Sequence, residues 1–310
     1  MSLDNVLRTL KNVQIYPSTV RVECNDKVTK SVFSRTVEQY QNMMNSGLPA
    51  GVIEKKNHKK NGNLITSYTF QNSNGYGNQI PLDEFDRAVL SVCISELLAG
   101  NQYTTPDVIF RALIGRVSSE QRMHPTEKQV AMIEDAIDKL MFTQFDTDAA
   151  KAIEELKYSD GDELFLEKSA ILPCYRVKAV IGGHTVKAIF FDRESPHWII
   201  ADKKNQILRY ASNLLYTGDH HNSRHKIAVT NYVLRRAMEI VYHKNLTPSI
   251  TFDDVFSKCR VDYASRKIIS ALRANILAIF HNLKNADIIS DFSVIKSGVN
   301  YRGIQVDRKS

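Results

Sequence analysis

The C-terminal part of this 310-residue chain changes from one hydrophobic period to another, and that change constrains the fold more than any other feature. From Tyr263 onward, apolar residues recur at steps of three and four, which is the period of an amphipathic helix. They are Ile268, Ile269, Leu272, Ile276, Ile279, Phe280 and Leu283. Beyond Ala286, apolar residues alternate in two short runs separated by Ser297-Gly298, as in two strands joined by a turn. The sequence therefore predicts a long helix followed directly by a hairpin over Asp287–Val306.

The same order of elements occurs twice along the chain. A mostly apolar stripe over Ala228–Val241 predicts a helix, and Ser249–Phe256 begins a short capped helix. Helices over 224–243, 251–258 and 264–284 with the final hairpin thus match helices over 82–98, 106–114 and 126–142 with a hairpin closed by Gly182-Gly183. In the upstream copy, Asp146–Tyr158 is expected to be an inserted helix. Since helix, short helix, long helix and hairpin is the winged-helix order, we predict an α+β, predominantly helical fold with two tandem winged-helix domains and β-hairpin wings.

These patterns divide the chain into three parts. Residues 1–80 form an N-terminal extension, with a hairpin whose strands flank the basic turn Glu54–Asn63. Residues 81–200 form the first winged helix and residues 201–310 the second. We expect the first to make protein contacts, to dimerise or to make a secondary DNA contact, and the second to be the principal DNA-binding domain.

Charge is distributed unequally between these parts. Residues 201–310 contain 18 Lys and Arg against 9 Asp and Glu, whereas residues 1–200 contain 23 against 25. A localised net charge of +9 attracts polyanions and releases their counterions, so nucleic acid is the natural partner of the C-terminal part. The long helix of the first copy instead carries Glu127, Glu134, Asp135 and Asp138, which is a poor surface for phosphate.

Candidate DNA contacts fall into three groups. On one face of the C-terminal long helix, Arg266, Lys267, Ser270 and Arg273 suit phosphate oxygens and the paired acceptors of guanine. In the wing, we expect Lys296, Asn300, Tyr301 and Arg302 to touch the DNA backbone or minor groove. Ser223, Arg224 and Lys226 lie at a predicted helix N-terminus, a position suited to holding a phosphate.

At this point the chain resembles the winged-helix replication initiators of plasmids and mobile elements. The resemblance covers roughly residues 82–306 and rests on the tandem arrangement and on the joining segment, in which Ile189-Phe190-Phe191-Asp192 precedes a helix-like Lys203–Leu214. It implies a protein that binds repeated origin sites in double-stranded DNA and meets proteins of the replication machinery. It also implies that the first domain supports a homodimer, while the second contacts DNA through the helix that contains Arg266.

Catalytic motifs are mostly absent from the sequence. There is no phosphate-binding Gly-x-x-x-x-Gly-Lys-Ser/Thr loop and no Gly-x-Ser-x-Gly elbow, so we expect no enzyme, no cofactor and no metal. Asp219-His220-His221, with His225 nearby, leaves open a metal-dependent DNA-nicking initiator. The histidines are adjacent, however, rather than separated by one hydrophobic residue on a strand, which favours an exposed loop.

Two other functions stay open at this point, a winged-helix transcriptional regulator and a protein-interaction module that binds no DNA. The chain has no run of about eighteen apolar residues and no apolar core of a signal peptide. Its four cysteines are far apart, without a Cys-x-x-Cys pair, and are expected to be reduced thiols. We therefore expect a cytoplasmic protein without membrane contacts.

Overall fold

A computed structural model describes the backbone of most of the second half of the chain and part of the first. The described residues are 19–23, 52–55, 68–72, 82–116, 124–147, 169–181, 184–194, 207–218, 222–261, 265–298 and 300–309. They form six α-helices and twelve strands, all sheets being antiparallel. This mixture of helices and small sheets confirms the predicted α+β class.

The first half of the core is built from three helices and a three-stranded sheet. Its elements are α1 (Glu84–Leu98), β4 (Tyr103–Thr104), α2 (Pro106–Leu113), α3 (Glu127–Phe142), β7 (Cys174–Ile181) and β8 (His184–Phe191). Asp83 and Asp86 form a capping box that begins α1, and Thr105 caps α2 directly before Pro106. The sheet order is β4, β8, β7, so the short strand between two helices pairs with the last strand of the hairpin.

The second half repeats that order. Its elements are α4 (Arg224–Tyr242), β10 (Ser249–Thr251), α5 (Phe252–Lys258), α6 (Arg266–Asn285), β11 (Asp291–Ser297) and β12 (Asn300–Asp307). The sheet order is β10, β12, β11, which matches the first half strand for strand. Gly298 lies in the predicted turn of the hairpin with a φ of +60°, a backbone conformation that favours glycine.

Six further strands surround this framework. Strands β2 (Val52–Lys55), β3 (Tyr68–Asn72), β5 (Thr143–Thr147) and β6 (Ser169–Ala170) form one sheet, in which β2 and β3 pair antiparallel on either side of the predicted basic turn. The start of the expected inserted helix is a strand instead, since Asp146 belongs to β5. Thr147 is also part of β5, and residues 148–158 of the expected helix lie outside the described residues.

The predicted helix over Lys203–Leu214 is also wrong over its described part, residues 207–214. The chain forms β9 (Ile207–Ala211) and a 3-10 turn at Ser212–Leu215, and β9 pairs with β1 (Thr19–Glu23). Alternate residues of β9 are buried, with Leu208 and Tyr210 inward, as expected for a strand. Its partner strand lies almost two hundred residues upstream, so a local pattern could not indicate the pairing.

One hydrophobic core runs through both halves without interruption. Helix α1 packs against α3 of its own half and against α4 of the other. Cys93, Cys174 and Cys259 are buried free thiols within this core, in agreement with the sequence prediction, and Cys24 lies outside the described residues. No described helix has the length and apolar character that a bilayer crossing requires.

The end of α2 is fitted closely against the 3-10 turn at Ser212–Leu215. Gly115 has a φ of +73°, and a Cβ added there would lie 2.5 Å from the backbone nitrogen of Tyr216. On the other side of the turn, the Asn282 amide donates hydrogen bonds to the carbonyl oxygens of Leu214 at 2.9 Å and Tyr216 at 2.7 Å. The turn therefore lies between the end of α2 in the first half and α6 in the second, and contacts both.

We expect Gly115→Ala to lower the free energy of unfolding by about 3 kcal/mol, because it combines backbone strain with a clash against main-chain atoms that cannot move aside. Gly100→Ala is the matched control, since Gly100 also has a positive φ, +92°, but no atom within 4 Å of an added Cβ. Urea denaturation of the two variants measures the difference. Equal decreases in stability would contradict a close fit at Gly115.

Candidate nucleic-acid interface

Helix α6 presents a cationic face at its N-terminal end. Ser265 caps the helix by accepting a hydrogen bond from the backbone nitrogen of Ile268 at 3.4 Å. The inward side is apolar and buried, and consists of Ile269, Leu272, Ile276, Ile279, Phe280 and Leu283. On the opposite side Arg266, Lys267 and Ser270 are exposed, so the structure brings these three predicted residues together.

Arg266 and Lys267 are unneutralised by the rest of the described chain. Neither side chain has an ion pair or hydrogen bond to a described residue, and the first turn of α6 contains no acidic residue. Cations at a helix N-terminus oppose the helix dipole, at a cost of about 0.3–1 kcal/mol each. A bound anion would offset that cost, so the arrangement suits a polyanionic ligand.

Arg273 occupies a different position from the other three predicted residues of this helix. Its side chain is half-buried, and the guanidinium carbon lies 5.4 Å from the centre of the Phe252 ring on α5. Its Nε atom is buried and has no hydrogen-bond partner among the described residues. Arg273 thus lies at the junction of α5 and α6, on the flank of the cationic face.

Hairpin β11–β12 contributes a second exposed group. Lys296 and Asn300 are exposed, and the Lys296 ammonium lies 5.5 Å from the centre of the Tyr301 ring. Arg302 is also exposed, and its Nη1 lies 3.7 Å from Oδ2 of Asp253 on α5. All four residues predicted in the wing are therefore accessible to a ligand.

The hairpin is held against the helices by close packing. The rings of Phe280 on α6 and Phe292 on β11 lie 5.5 Å apart. A Cβ added at Gly303 would clash with the carbonyl oxygen of Ile250, so this glycine permits the close approach of β12 to β10. The cationic face of α6 and the exposed side chains of the hairpin are consequently parts of one rigid unit.

The third predicted group lies at the N-terminus of α4, and its side chains contact other parts of the protein. Ser223 accepts the hydrogen bond of the Lys226 backbone nitrogen at 3.2 Å, and the Lys226 side chain is buried. Arg224 donates hydrogen bonds to Asp83 at 2.9 Å and Asp86 at 2.8 Å, and it lies over the Phe85 ring. Because the Arg224 charge is neutralised by α1 and the Lys226 side chain is buried, we leave Ser223, Arg224 and Lys226 out of the proposed surface.

Burial and charge pairing determine the pKa values of Asp83 and Asp86, the two carboxylates that Arg224 contacts. Burial raises the pKa of Asp86 to about 6, and the neighbouring Asp83 carboxylate adds to the rise. Burial also opposes ionisation of Asp83, but the Arg224 guanidinium outweighs it and holds that pKa below its ordinary value. Arg224 therefore keeps one carboxylate firmly ionised beside another that is easily protonated.

A second buried ion pair joins the same two helices. Arg235 on α4 donates hydrogen bonds to Glu84 on α1 at 2.9 Å and to Glu239 at 3.1 Å. Burial lowers the pKa of Arg235, but the two carboxylates outweigh that effect and keep it above its ordinary range. Sequence reasoning missed this pair because Arg235 and Glu84 lie 151 residues apart.

The long helix of the first half is acidic, as the sequence shows, but Glu134, Asp135 and Asp138 form ion pairs within the protein, while Glu127 is exposed. Glu134 lies 2.8 Å from Lys187 and 3.7 Å from Arg176, both on the hairpin β7–β8. Asp138 pairs with Arg176 at 2.6 Å, and Asp135 pairs with Lys139 at 2.6 Å. In this copy Glu134 and Asp138 of the long helix form ion pairs with the basic side chains of the hairpin.

Asp219, His220 and His221 of the possible metal site lie outside the described residues, and His225 is an exposed residue in the first turn of α4. The part of the chain that the structure describes contains no group of three or more His, Cys, Asp or Glu residues placed to hold a metal ion.

We expect Arg235→Met to lower the free energy of unfolding by about 3 kcal/mol, because it leaves Glu84 buried without its partner. Adding Glu84→Gln should restore part of that stability. Lys284→Met is the control, since it breaks the exposed pair of Lys284 with Asp291 and should cost less than about 1 kcal/mol. Denaturant titration of the wild type and the three variants measures these values, and equal costs for Arg235→Met and Lys284→Met would contradict a structural role for the buried pair.

Comparison with known proteins gives little further information. No protein-family model matches the chain, and no curated protein matches it. Among solved structures, the chain is similar to a crystal structure of domains 2 and 3 of RctB, in selenomethionine form. The TM-score is 0.33 and the identity 12%, over 82% of this chain and 90% of that chain. A TM-score this low carries no argument about fold or function.

Proposed function

We propose that this chain is a sequence-specific double-stranded DNA-binding protein built from two tandem winged helices, of which the second is the principal DNA reader. The observation that carries the proposal is the cationic face of α6, whose Arg266 and Lys267 have no partner among the described residues, in the same packed unit as the exposed hairpin β11–β12. Both belong to a helix–strand–helix–helix–hairpin unit whose apolar side chains pack into the common core.

The dimensions of α6 suit the major groove. A helix with its side chains measures about 10–12 Å across, close to the roughly 12 Å width of that groove. Ser270, Ala271 and Ala274 line the exposed side of α6 and are small, so the backbone can approach base edges closely. Arg266 and Lys267 would meet phosphates or guanine at one end, Arg273 would contact the flank, and Lys296, Asn300, Tyr301 and Arg302 would reach the adjacent backbone or minor groove.

The role we propose is replication initiation for a plasmid or mobile element, through recognition of repeated origin sites and contacts with replication proteins. The first unit, in whose long helix Glu134, Asp135 and Asp138 are ion-paired within the protein, would make protein contacts, including those of a homodimer. The task is recognition in the cytoplasm, without catalysis, cofactor or metal. The resemblance that the sequence bears to winged-helix initiators supports this role, and the two packed copies of one framework are compatible with it.

We expect Arg266→Ala combined with Lys267→Ala to weaken binding to a selected duplex by about tenfold to hundredfold. The dependence of log affinity on log salt should also become shallower by about 0.9 for each phosphate that these side chains no longer neutralise. Fluorescence anisotropy at several salt concentrations measures both quantities with the full chain.

Lys128→Ala combined with Lys178→Ala removes the same number of exposed cations from the first half and should change the affinity less than about threefold if the second unit is the principal reader. Equal decreases in affinity in the two double variants would mean that the α6 cations act only through the net charge of the protein and not as a specific DNA contact. An unchanged affinity in the Arg266 and Lys267 variant would rule out the proposed interface.

The initiator role has its own test. Sequencing of genomic fragments that the protein retains should give several direct repeats clustered near its own gene. A single inverted repeat over a promoter, which is the arrangement a dimeric repressor binds, would contradict initiation and leave DNA binding intact.

A further inference from the structure

The first turn of α6 exposes an aliphatic side chain where the sequence pattern predicts a buried one. Ile268 is 50% exposed, although its spacing assigns it to the apolar stripe. The buried face of α6 begins at the next residue, Ile269, and Ile268 lies at its margin in the first turn. Within the described ranges, Ile268 is the one aliphatic member among the large exposed hydrophobic side chains, the others being aromatic.

The neighbours of Ile268 define what could cover it. Ile268 and the exposed Ala271 are three residues apart and therefore neighbours on the helix surface, and Ala271 is four residues from the exposed Lys267, so this apolar strip lies beside a cation that has no partner among the described residues. A partner must therefore be anionic overall and yet offer a small apolar group beside its charges. Duplex DNA has such a group, because the C5-methyl of thymine is the apolar feature of the major-groove base edges.

We propose that Ile268, with Ala271, contacts the C5-methyl group of a thymine in the target site, so that this residue selects sequence while Arg266 and Lys267 supply affinity. The inference rests on the proposed function, since it requires α6 to lie in the major groove. It goes further by naming the base that the target must contain and the group on that base that is recognised.

The experiment uses deoxyuridine in place of thymidine, which removes the methyl group and leaves every hydrogen-bonding atom in place. Each thymine of a selected duplex is replaced in turn, and affinities are measured for the full-length wild-type chain, for Ile268→Ala and for Tyr242→Ala. Tyr242 is a control because it is 59% exposed but lies at the end of α4.

We expect the affinity of the wild type and of Tyr242→Ala to fall about fourfold at one or two thymines, the decrease expected for one buried methyl group. Ile268→Ala should bind thymine and uracil duplexes equally at those positions. A helix-favouring substitution at a half-exposed site should not unfold the chain, and circular dichroism checks this.

Two results would overturn the proposal in distinguishable ways. If the wild type binds a selected duplex in a salt-dependent manner, but Ile268→Ala keeps the same sensitivity to thymine methyl groups, the proposed contact is refuted and the DNA-binding function stands. The same holds if no thymine shows any sensitivity, and Ile268 then serves another contact, such as a protein partner. If no duplex is selected at all, the proposed function itself fails.

Discussion

The contact between α1 and α4 is the interaction on which the arrangement of the molecule depends. It joins the first helix of one repeated unit to the first helix of the other and contains the buried ion pair of Arg235 with Glu84 and the partly buried pairs of Arg224 with Asp83 and Asp86. Removing such charges from water costs several kcal/mol for each ion unless its partner is in place. Separating the two helices would leave these charges without their partners, so the ion pairs favour the orientation in which α1 and α4 are observed.

The two units joined by this contact differ in how their charges are paired. In the first unit, α3 and its hairpin hold each other through Glu134, Asp138, Arg176 and Lys187. In the second unit, Arg266 and Lys267 have no such partner among the described residues. Because the units are fixed to each other through α1 and α4, the one with unpaired cations is held in a constant relation to the one without them.

The parts of the fold that depend on local periodicity were predictable from the sequence. The long helix and hairpin at the C-terminus and the repeated order of elements follow from apolar spacing and turn residues. The strand β9 was not predictable, because what makes it a strand is its pairing with β1, far upstream in the sequence. The ion pairs of Arg224, which was predicted to hold a phosphate, were not predictable for the same reason, since Asp83 and Asp86 are distant in sequence.

The candidate site was partly predictable. The exposed cations of α6 and the hairpin residues follow from their position on the polar side of regular elements. The exposure of Ile268 could not be predicted in this way. Apolar spacing indicates which side of a helix faces the core, but not how far along the helix the core extends. Arg273 was assigned to the same face, whereas its packing on Phe252 depends on the position of α5, which spacing does not encode.

Hydrogen–deuterium exchange of the full-length protein with and without a selected duplex tests the central claim most directly, because it reports on both units in one experiment. The account predicts slowed exchange in peptides from the N-terminal half of α6 and from β11–β12, with the amides of α3 unchanged. Protection confined to α3 and β7–β8, or protection of neither unit by a duplex that binds, would contradict it.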